Sequence, residues 1–392
     1  MKPRELVHQS LRRQSTLRFV AAALWLSIAV LGCVTGAGDD PGRAQQIVDR
    51  IRQQHAPDKR VEVFNVSAQA GPGSIVLTGE VQEAKFVSFL VDSITAAMPA
   101  ARIETKIEVL PEGKLRDKSY GIIKIGVANL RREPSFQSEL VNQALLGSGV
   151  RILKESGSFY YVQNFYDSYL GWMSKGSLVR TDSSGYAEWN TSDRVMCRVN
   201  YAPVVDLEDS ETGGFLVDMV PGAVLQRLGA QANFVKVQTP DGRAGFIERT
   251  AVKEVTQTAR IVATRDKVIA TSKNFLGTPY FWGGTSSKGF DCSGFVQTAF
   301  RLNNYKLPRD VSQIARLGTR IEEVGLHFEN LLPGDVLFFG RTPERLSHCA
   351  LYLGNQRYIH SSFSVHINSL DPEDQLYNDY RRNAFQQARR LF

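Results

Sequence analysis

One cysteine of this sequence lies in a setting that suits nucleophilic chemistry. Cys292 follows the glycine-rich segment 283–289 and precedes an apolar run with helical spacing at 295–300, so we expect its sulfur at a helix N-terminus. A free thiol of pKa ~8.5 is mostly protonated at neutral pH, and the helix dipole favours the reactive thiolate. The N–H groups of the first turn can also hold an oxyanion. These features predict a nucleophile at Cys292, whereas Cys197 and Cys349 lie in strand-like runs and are expected to be small buried residues.

Two histidines lie where a pair of neighbouring strands could bring them together. His348 begins the apolar strand-like run 349–353, and His360 ends the next such run, 12 residues further on. Antiparallel strands joined by the turn 353–356 can place both side chains side by side. A cysteine nucleophile needs a base and a group that orients this base, so the pair has the chemistry required. The other histidines lie in less suitable places: His8 in the leader, His55 near a helix end, His327 in a loop and His366 in a late polar segment.

The elements that must position these residues begin at about residue 260. Helical signals run from 263 to about 318, and strand-like runs follow at 335–339, 348–353 and 357–360. Helices followed by an antiparallel sheet resemble the layout of a papain-like α+β domain, which we expect at 260–392.

The motifs of this segment carry a family resemblance. Five ordered motifs, taken together, resemble the NlpC-type family of cell-wall cysteine peptidases; they occupy 277–284, 289–296, 333–339, 348–354 and 359–360. The resemblance implies that Cys292 is the nucleophile, that His348 is the base and that His360 is the third polar residue, which orients this base.

Three further domains are predicted upstream of this segment. Residues 41–112 show the order αββαβ, with helices at 44–55 and 83–98 and strands at 60–68, 74–81 and 101–110. They resemble a BON-type domain of envelope proteins. Residues 117–182 and 193–256 consist of short alternating segments separated by turns, which is typical of small β-barrels.

These two β-rich segments resemble bacterial SH3-like domains. The motifs that carry the resemblance are 126–131 and 169–173 in the first segment, and the opening motif of the second is less typical. The expected fold class is therefore a multidomain α+β protein: an αββαβ domain, two SH3-like β-barrels and a C-terminal papain-like peptidase domain.

The resemblance extends to one branch of the peptidase family. Segments 307–313 and 367–372, with two barrels upstream, resemble the YkfC-like γ-D-glutamyl-L-diamino acid dipeptidyl-peptidases. The branch implies cleavage between γ-D-Glu and a diamino acid in murein peptides that have a free N-terminal L-alanine. The residues that it implies for substrate binding are Asp291, Ser293, Tyr280, Glu139 and Tyr169.

These substrate-binding assignments have structural alternatives. Asp291 could instead cap the helix, Glu139 could be a solvated surface residue, and Tyr169 and Tyr280 could pack in a core. Two other functions also stay open: a D,L-endopeptidase that cuts intact wall stems, and an inactive module that binds peptidoglycan.

The N-terminus predicts export. A basic leader is followed by the uncharged, mostly apolar stretch 19–32 and then by Cys33, and this layout matches a secretory signal over residues 1–33. The segment 30–33 resembles a bacterial lipobox, which implies a lipid-modified Cys33; the alternatives are an uncleaved anchor or a plain signal peptide in which Cys33 has no role. We therefore expect a membrane-anchored lipoprotein that faces the periplasm or cell envelope, with peptidoglycan and the membrane as partners.

Composition excludes several classes of protein. The net charge is +7, but five basic residues and one acidic residue lie within 1–32, so the remainder is unexceptional and nucleic-acid binding is not expected. No apolar run reaches the ~20 residues of a membrane span. Four cysteines are too few for a disulfide scaffold and lack the spacing of a zinc site, so we expect no metal and no cofactor.

Overall fold

The computed structural model describes residues 40–207, 214–255, 263–325 and 327–392. The predicted export signal and Cys33 lie outside these residues. Within them, no helix combines the length and the apolar character needed to cross a membrane.

The first structural unit has the element order αββαβ. Its elements are α1 (Pro41–His55), β1 (Phe64–Gly71), β2 (Ser74–Val81), α2 (Lys85–Ala97) and β3 (Ile103–Val109). β2 pairs antiparallel with β1 and parallel with β3, and the apolar faces of both helices contribute to one core. The sequence pattern predicts a strand from residue 60, but β1 begins at Phe64. Residues 58–62 form a turn instead, in which the amides of Val61 and Glu62 donate to the carbonyl of Asp58 at 3.1 and 3.2 Å.

The second unit is a seven-stranded antiparallel sheet with the order β10-β4-β7-β8-β9-β5-β6. Its strands are β4 (Tyr120–Ile123), β5 (Val127–Arg131), β6 (Leu140–Leu145), β7 (Gly149–Ser156), β8 (Phe159–Asn164), β9 (Leu170–Ser174) and β10 (Leu178–Thr181). Short 3₁₀ turns flank the sheet at Gly113–Lys118 and Lys175–Ser177. Alternate residues of the strands face a common core, which explains the period-two apolar pattern of this segment.

The third unit repeats this architecture after helix α3 (Ser183–Thr191). Its seven antiparallel strands have the order β13-β12-β16-β15-β14-β11-β17. They are β11 (Arg194–Cys197), β12 (Ala202–Val205), β13 (Phe215–Met219), β14 (Val224–Gln231), β15 (Phe234–Gln238), β16 (Ala244–Glu248) and β17 (Val252–Glu254). A 3₁₀ turn at Arg249–Ala251 precedes the last strand.

The C-terminal unit packs helices against a six-stranded antiparallel sheet of order β20-β25-β21-β22-β23-β24. Its helices are α4 (Arg265–Lys273), α5 (Cys292–Arg301), α6 (Val311–Ile314) and α7 (Asp379–Ala384). Its strands are the hairpin β18 (Thr285–Ser286) and β19 (Gly289–Phe290), then β20 (Thr319–Arg320), β21 (Val336–Gly340), β22 (Leu346–Gly354), β23 (Arg357–Ser361), β24 (Val365–Ser369) and β25 (Phe385–Arg390). Helix α5 lies against β22 and β23, so residues of these three elements meet in one core.

Helix is interrupted between α4 and α5, where the apolar pattern alone suggests that it continues. Gly277 and Gly283 adopt φ angles of 84° and 76°, which right-handed helix does not allow, and Pro279 lies between them. The chain therefore turns back through the β18–β19 hairpin before α5 begins. This turn brings the segment before α5 against the first seven-stranded sheet, where the amide of Thr285 donates to Oε1 of Gln143 at 2.9 Å.

The αββαβ unit also docks on the first seven-stranded sheet. A small apolar cluster joins the two units through Val63, Leu110, Leu153 and Leu170. Lys154 forms an ion pair with Glu80 at 2.7 Å, at the edge of this interface. The loop that precedes β1 therefore lies next to the start of β9, and the amide of Leu170 donates to the carbonyl of Arg60 at 2.7 Å.

Candidate active site

Cys292 is the first residue of helix α5, as its sequence context predicts. The helix begins there because Asp291 has an extended backbone and its Oδ1 accepts the amide hydrogen of Gly294 at 2.7 Å. Gly294 itself is required by the close approach of the preceding turn, since an added Cβ would lie 2.1 Å from the carbonyl oxygen of Gly284. The sulfur thus lies at the positive end of a well-capped helix, with 7% of the residue exposed.

The surroundings of Cys292 hold its thiol pKa well below the usual value. The largest cause is a hydrogen bond from the Cys349 side chain; the charge and hydrogen bond of His348 act in the same direction, while burial opposes them. Cys349 lies on β22 beside His348 and is fully buried. It is buried as expected, but it is also an immediate neighbour of the candidate nucleophile, which the strand pattern does not indicate.

Strands β22 and β23 bring His348 and His360 together. They pair antiparallel, with Leu351 opposite Ile359, and both imidazoles are buried. Nε2 of His348 lies 2.7 Å from Nδ1 of His360. The structure therefore brings Cys292, His348 and His360 into one cluster, which is the arrangement that a nucleophile, a base and an orienting group require.

The hydrogen bonds beyond His360 determine which ring nitrogens carry protons. Nε2 of His360 lies 3.0 Å from Oδ1 of Asn368, and Nδ2 of Asn368 donates to the carbonyl of Leu376, so the amide oxygen faces the ring. Nε2 of His360 therefore carries the hydrogen and its Nδ1 accepts from Nε2–H of His348. This leaves the Nδ1 lone pair of His348 free to take a proton from the Cys292 thiol.

His366 extends this chain of imidazoles. Its Nδ1 donates to the carbonyl of Ser364 at 2.8 Å, and its Nε2 lies 3.2 Å from Nε2 of His360 and 3.1 Å from Oδ1 of Asn368. Burial, and next the charges of His348 and His366, lower the pKa of His360 to about 2. His360 is thus neutral and orients the base without competing for its proton. Sequence reasoning set His366 aside, although its alternation with Asn368 on one strand face was a usable signal.

Asp291 forms a buried ion pair with Arg309, a residue that sequence reasoning did not single out. Nη1 of Arg309 donates to Oδ1 of Asp291 at 3.1 Å, and Nη2 bonds Oδ2. Burial alone would lower the pKa of Arg309, but the Asp291 carboxylate outweighs it and raises that pKa. Ser293 accepts from Nη1 of the same arginine at 2.9 Å, and Nε donates to Asn142 of the first sheet at 3.0 Å. Asp291 therefore has a capping and pairing role here, and its contact with a substrate stays a prediction.

Cys292 lies at the base of a pocket of about 360 Å³ that the first sheet and the catalytic unit form together. All the residues predicted to bind substrate line this pocket: Asp291, Ser293, Tyr280, Glu139 and Tyr169. Oε1 of Glu139 accepts from the indole of Trp282 at 2.9 Å, and its Oε2 pairs with Arg132 at 2.8 Å. The Tyr280 side chain is half-buried. Burial is the largest cause of its raised pKa, and the charge of Cys292 is the second.

Tyr169 connects this pocket to Asp310, a second carboxylate that was not among the predicted site residues. The hydroxyl of Tyr169 donates to Oδ2 of Asp310 at 3.2 Å. Burial is the largest cause of the raised pKa of Tyr169, and the charge of Asp310 is the second. Asp310 lies within the 307–313 segment that carried the family resemblance, so the signal was present.

The αββαβ unit also reaches this pocket. Nη1 of Arg60 pairs with Oδ2 of Asp310 at 2.8 Å and donates to Ser312 at 3.0 Å, while its Nη2 pairs with Asp58 at 2.7 Å. Arg60 therefore forms part of the pocket wall next to Tyr169. No local pattern in the sequence indicates this contact, because it joins segments 250 residues apart.

Comparisons with known proteins agree with this architecture. A model described as the NlpC/P60 family matches residues 277–390, and a model described as the bacterial dipeptidyl-peptidase Sh3 domain matches residues 130–178. A protein named dipeptidyl-peptidase 6 from Lysinibacillus sphaericus is 30% identical over 261 residues, which cover 64% of this chain and 92% of that protein. A protein named gamma-D-glutamyl-L-lysine dipeptidyl-peptidase from Bacillus subtilis is 30% identical, covering 56% of this chain and 71% of that protein.

Solved structures agree on the fold. An NlpC/P60 family protein from Bacillus cereus superposes with a TM-score of 0.61 at 24% identity, over 70% of this chain and 99% of that one. An NlpC/P60 endopeptidase from Photobacterium damselae superposes with a TM-score of 0.53 at 16% identity, over 71% and 72% of the two chains. Together with the sequence relatives, these matches show that this chain belongs to the NlpC/P60 family and is a cysteine-type peptidase.

Proposed function

We propose that this protein hydrolyses the bond between γ-D-glutamate and a diamino acid in murein peptides whose N-terminal L-alanine is free. The observation that carries the proposal is the pocket beside Cys292, whose lining includes Glu139, Tyr169 and Asp310. Carboxylate and phenol oxygens accept hydrogen bonds from an ammonium group. The names of the two dipeptidyl-peptidase relatives support the same substrate class.

The chemistry follows from the arrangement of Cys292 and His348. Nδ1 of His348 takes the thiol proton, and the thiolate attacks the γ-carbonyl carbon of the glutamyl residue. The N–H groups at the start of α5 stabilise the oxyanion that forms. The carbon–nitrogen bond then breaks, and His348 gives its proton to the departing amine. Water, activated by the same histidine, hydrolyses the thioester and releases the dipeptide and the free thiol.

Glu139 and Asp310 are the groups that we propose bind the alanine ammonium, in addition to their ion pairs with Arg132 and Arg60. A hydrogen bond to a charged group contributes ~1.5–3 kcal/mol, which corresponds to roughly 10- to 150-fold at 1.4 kcal/mol per decade. Acetylation of the alanine removes the charge and adds bulk where the pocket ends. Hydrolysis of the acetylated peptide should therefore fall by more than about two decades.

Mass spectrometry of digests tests this function. We expect the purified chain to split L-Ala-γ-D-Glu-diaminopimelate into a dipeptide and a free diamino acid, and to leave the N-acetylated peptide and intact sacculi largely uncut. Glu139→Gln should slow cleavage of the free peptide without changing that of the acetylated one. If the wild type cuts free and acetylated peptides equally, amine recognition is wrong and an endopeptidase that acts on intact wall stems is the better description.

We also propose that the protein is exported and anchored in the cell envelope through a lipid on Cys33. The support is the sequence: a basic leader, the apolar stretch 19–32 and a cysteine at its end. A lipid anchor would hold the enzyme at the membrane, near the peptidoglycan from which its substrates are released.

A further inference from the structure

A second pocket lies beside His348. Its volume is about 530 Å³, and its walls include His348, Arg381, Tyr380 and the exposed Phe363. Tyr280 and Ser347 line both this pocket and the one above Cys292. The two pockets therefore adjoin each other next to His348.

Arg381 is the cation of this second pocket. It lies on α7, whose first turn is capped by Asn378: Oδ1 of Asn378 accepts the amide hydrogen of Arg381 at 3.0 Å. The side-chain amide of Asn378 also donates to Oδ1 of Asn368, at 3.3 Å. The helix that carries Arg381 is thus tied to the hydrogen-bond chain that orients the catalytic histidine.

The guanidinium of Arg381 has no carboxylate partner among the residues that the structure describes. It lies over the rings of Phe339 and Tyr380, with its carbon 5.8 and 5.2 Å from their centroids. Two other arginines of the same unit are paired: Arg357 with Asp374 at 2.6 Å and Arg390 with Asp335 at 2.8 Å. A half-buried, unpaired guanidinium that lines a pocket has a planar set of donors available for a carboxylate.

The reaction supplies such a carboxylate at the right place. When His348 protonates the departing amine, the diamino acid lies next to His348, and its α-carboxylate is attached to the carbon next to the scissile nitrogen. This carboxylate is free only in a peptide that ends at the diamino acid. In longer stem peptides it is an amide and carries no charge.

We propose that Arg381 binds the free α-carboxylate of the diamino acid and so selects peptides that end at this residue. This inference rests on the proposed function, because it takes the bond before the diamino acid as the one cleaved.

Steady-state kinetics on two peptides test the site. One is L-Ala-γ-D-Glu-diaminopimelate, and the other is the same peptide in which the diaminopimelate carboxylate next to the scissile nitrogen is amidated. Four full-length proteins are compared: the wild type, Arg381→Met, Arg381→Lys and the control Arg316→Met, which changes an exposed arginine outside both pockets. We expect the wild type and the control to prefer the free acid by about 10- to 100-fold in kcat/KM. Arg381→Met should lose this factor on the free acid alone, mainly through KM, and Arg381→Lys should recover part of it.

The outcomes separate the site from the function. Equal rates on the two peptides by the wild type, or equal losses on both in Arg381→Met, would overturn carboxylate recognition while the proposed function stands. Cleavage of neither peptide by the wild type would refute the proposed function, and with it this site. Unchanged hydrolysis of the amide by Arg381→Met also shows that the variant is folded.

Discussion

Replacing Cys349 by alanine should raise the pKa of the Cys292 thiol. The Cys349 side chain is the largest of the causes that hold this pKa down, and it acts by a hydrogen bond to the sulfur of Cys292. Alanine removes the hydrogen-bond donor but changes the side-chain volume little, so helix α5 and His348 should keep their positions. The remaining interactions still favour the thiolate, but by less than in the wild type.

The size of the shift follows from the strength of one hydrogen bond. A bond to a charged group contributes ~1.5–3 kcal/mol, and a thiol is a weak donor, so the lower end applies. At 1.4 kcal/mol per decade, loss of this bond should lower the thiolate population about tenfold where the thiol is mostly protonated. Since the thiolate is the reactive form, the acidic limb of kcat/KM moves to higher pH. Activity on that limb falls about tenfold, while the plateau at higher pH is unchanged.

The assay is the pH dependence of kcat/KM on the free tripeptide, with the rate of Cys292 alkylation by iodoacetamide as a second measure. Cys197→Ala is the matched control, because Cys197 is also buried and free but lies on β11, and its thiol bonds the carbonyl of Val199 at 3.2 Å. Cys197→Ala should change neither the pH dependence of kcat/KM nor the rate of Cys292 alkylation. An acidic limb of Cys349→Ala that coincides with that of the wild type would refute the role of this thiol.

Three further predictions concern other parts of the molecule. Cys292→Ala should abolish hydrolysis without loss of fold. His348→Ala should reduce the single-turnover rate more than His360→Ala, because water can partly replace an orienting group. If His360→Ala has the lower rate, the roles of the two histidines are exchanged. Arg309→Met leaves the buried carboxylate of its partner unpaired, so denaturant unfolding should show a loss of ~3–5 kcal/mol; a loss below ~1 kcal/mol would contradict this reading. Cys33→Ala should release the protein from membranes in cell fractionation, and a variant that stays bound would show that segment 19–32 is an uncleaved anchor.

The candidate active site shows how far local sequence information extends. The start of α5 at Cys292 was predictable, because a capping residue and apolar residues at helical spacing act within a few positions of one another. The pairing of His348 with His360 was predictable for a similar reason, since a short turn between two strand-like runs determines which residues face each other. The alternation that places Asn368 beside His366 is equally local and was a usable signal, but it does not by itself show that either residue contacts His360.

Tertiary packing decided the rest of the site. The pattern at 60–63 favours a strand, yet these residues form a loop, and Arg60 pairs with Asp310 from a distant part of the chain. The thiol of Cys349 meets Cys292 only because α5 lies across β22. Such contacts depend on how separate units dock, and docking is determined by shape and burial over whole surfaces rather than by neighbouring residues.

The sequence by itself therefore determined the order of the units, the nucleophile at a helix start and the two histidines on adjacent strands. Only the tertiary structure decided what surrounds them: the carboxylates and phenol that line one pocket, Arg381 in the other, and the thiol that lowers the pKa of Cys292. The physical reason is the range of the interactions involved. Helix capping and strand alternation act over a few residues and leave a pattern in the chain, whereas a pocket forms where distant segments bury one another's surfaces.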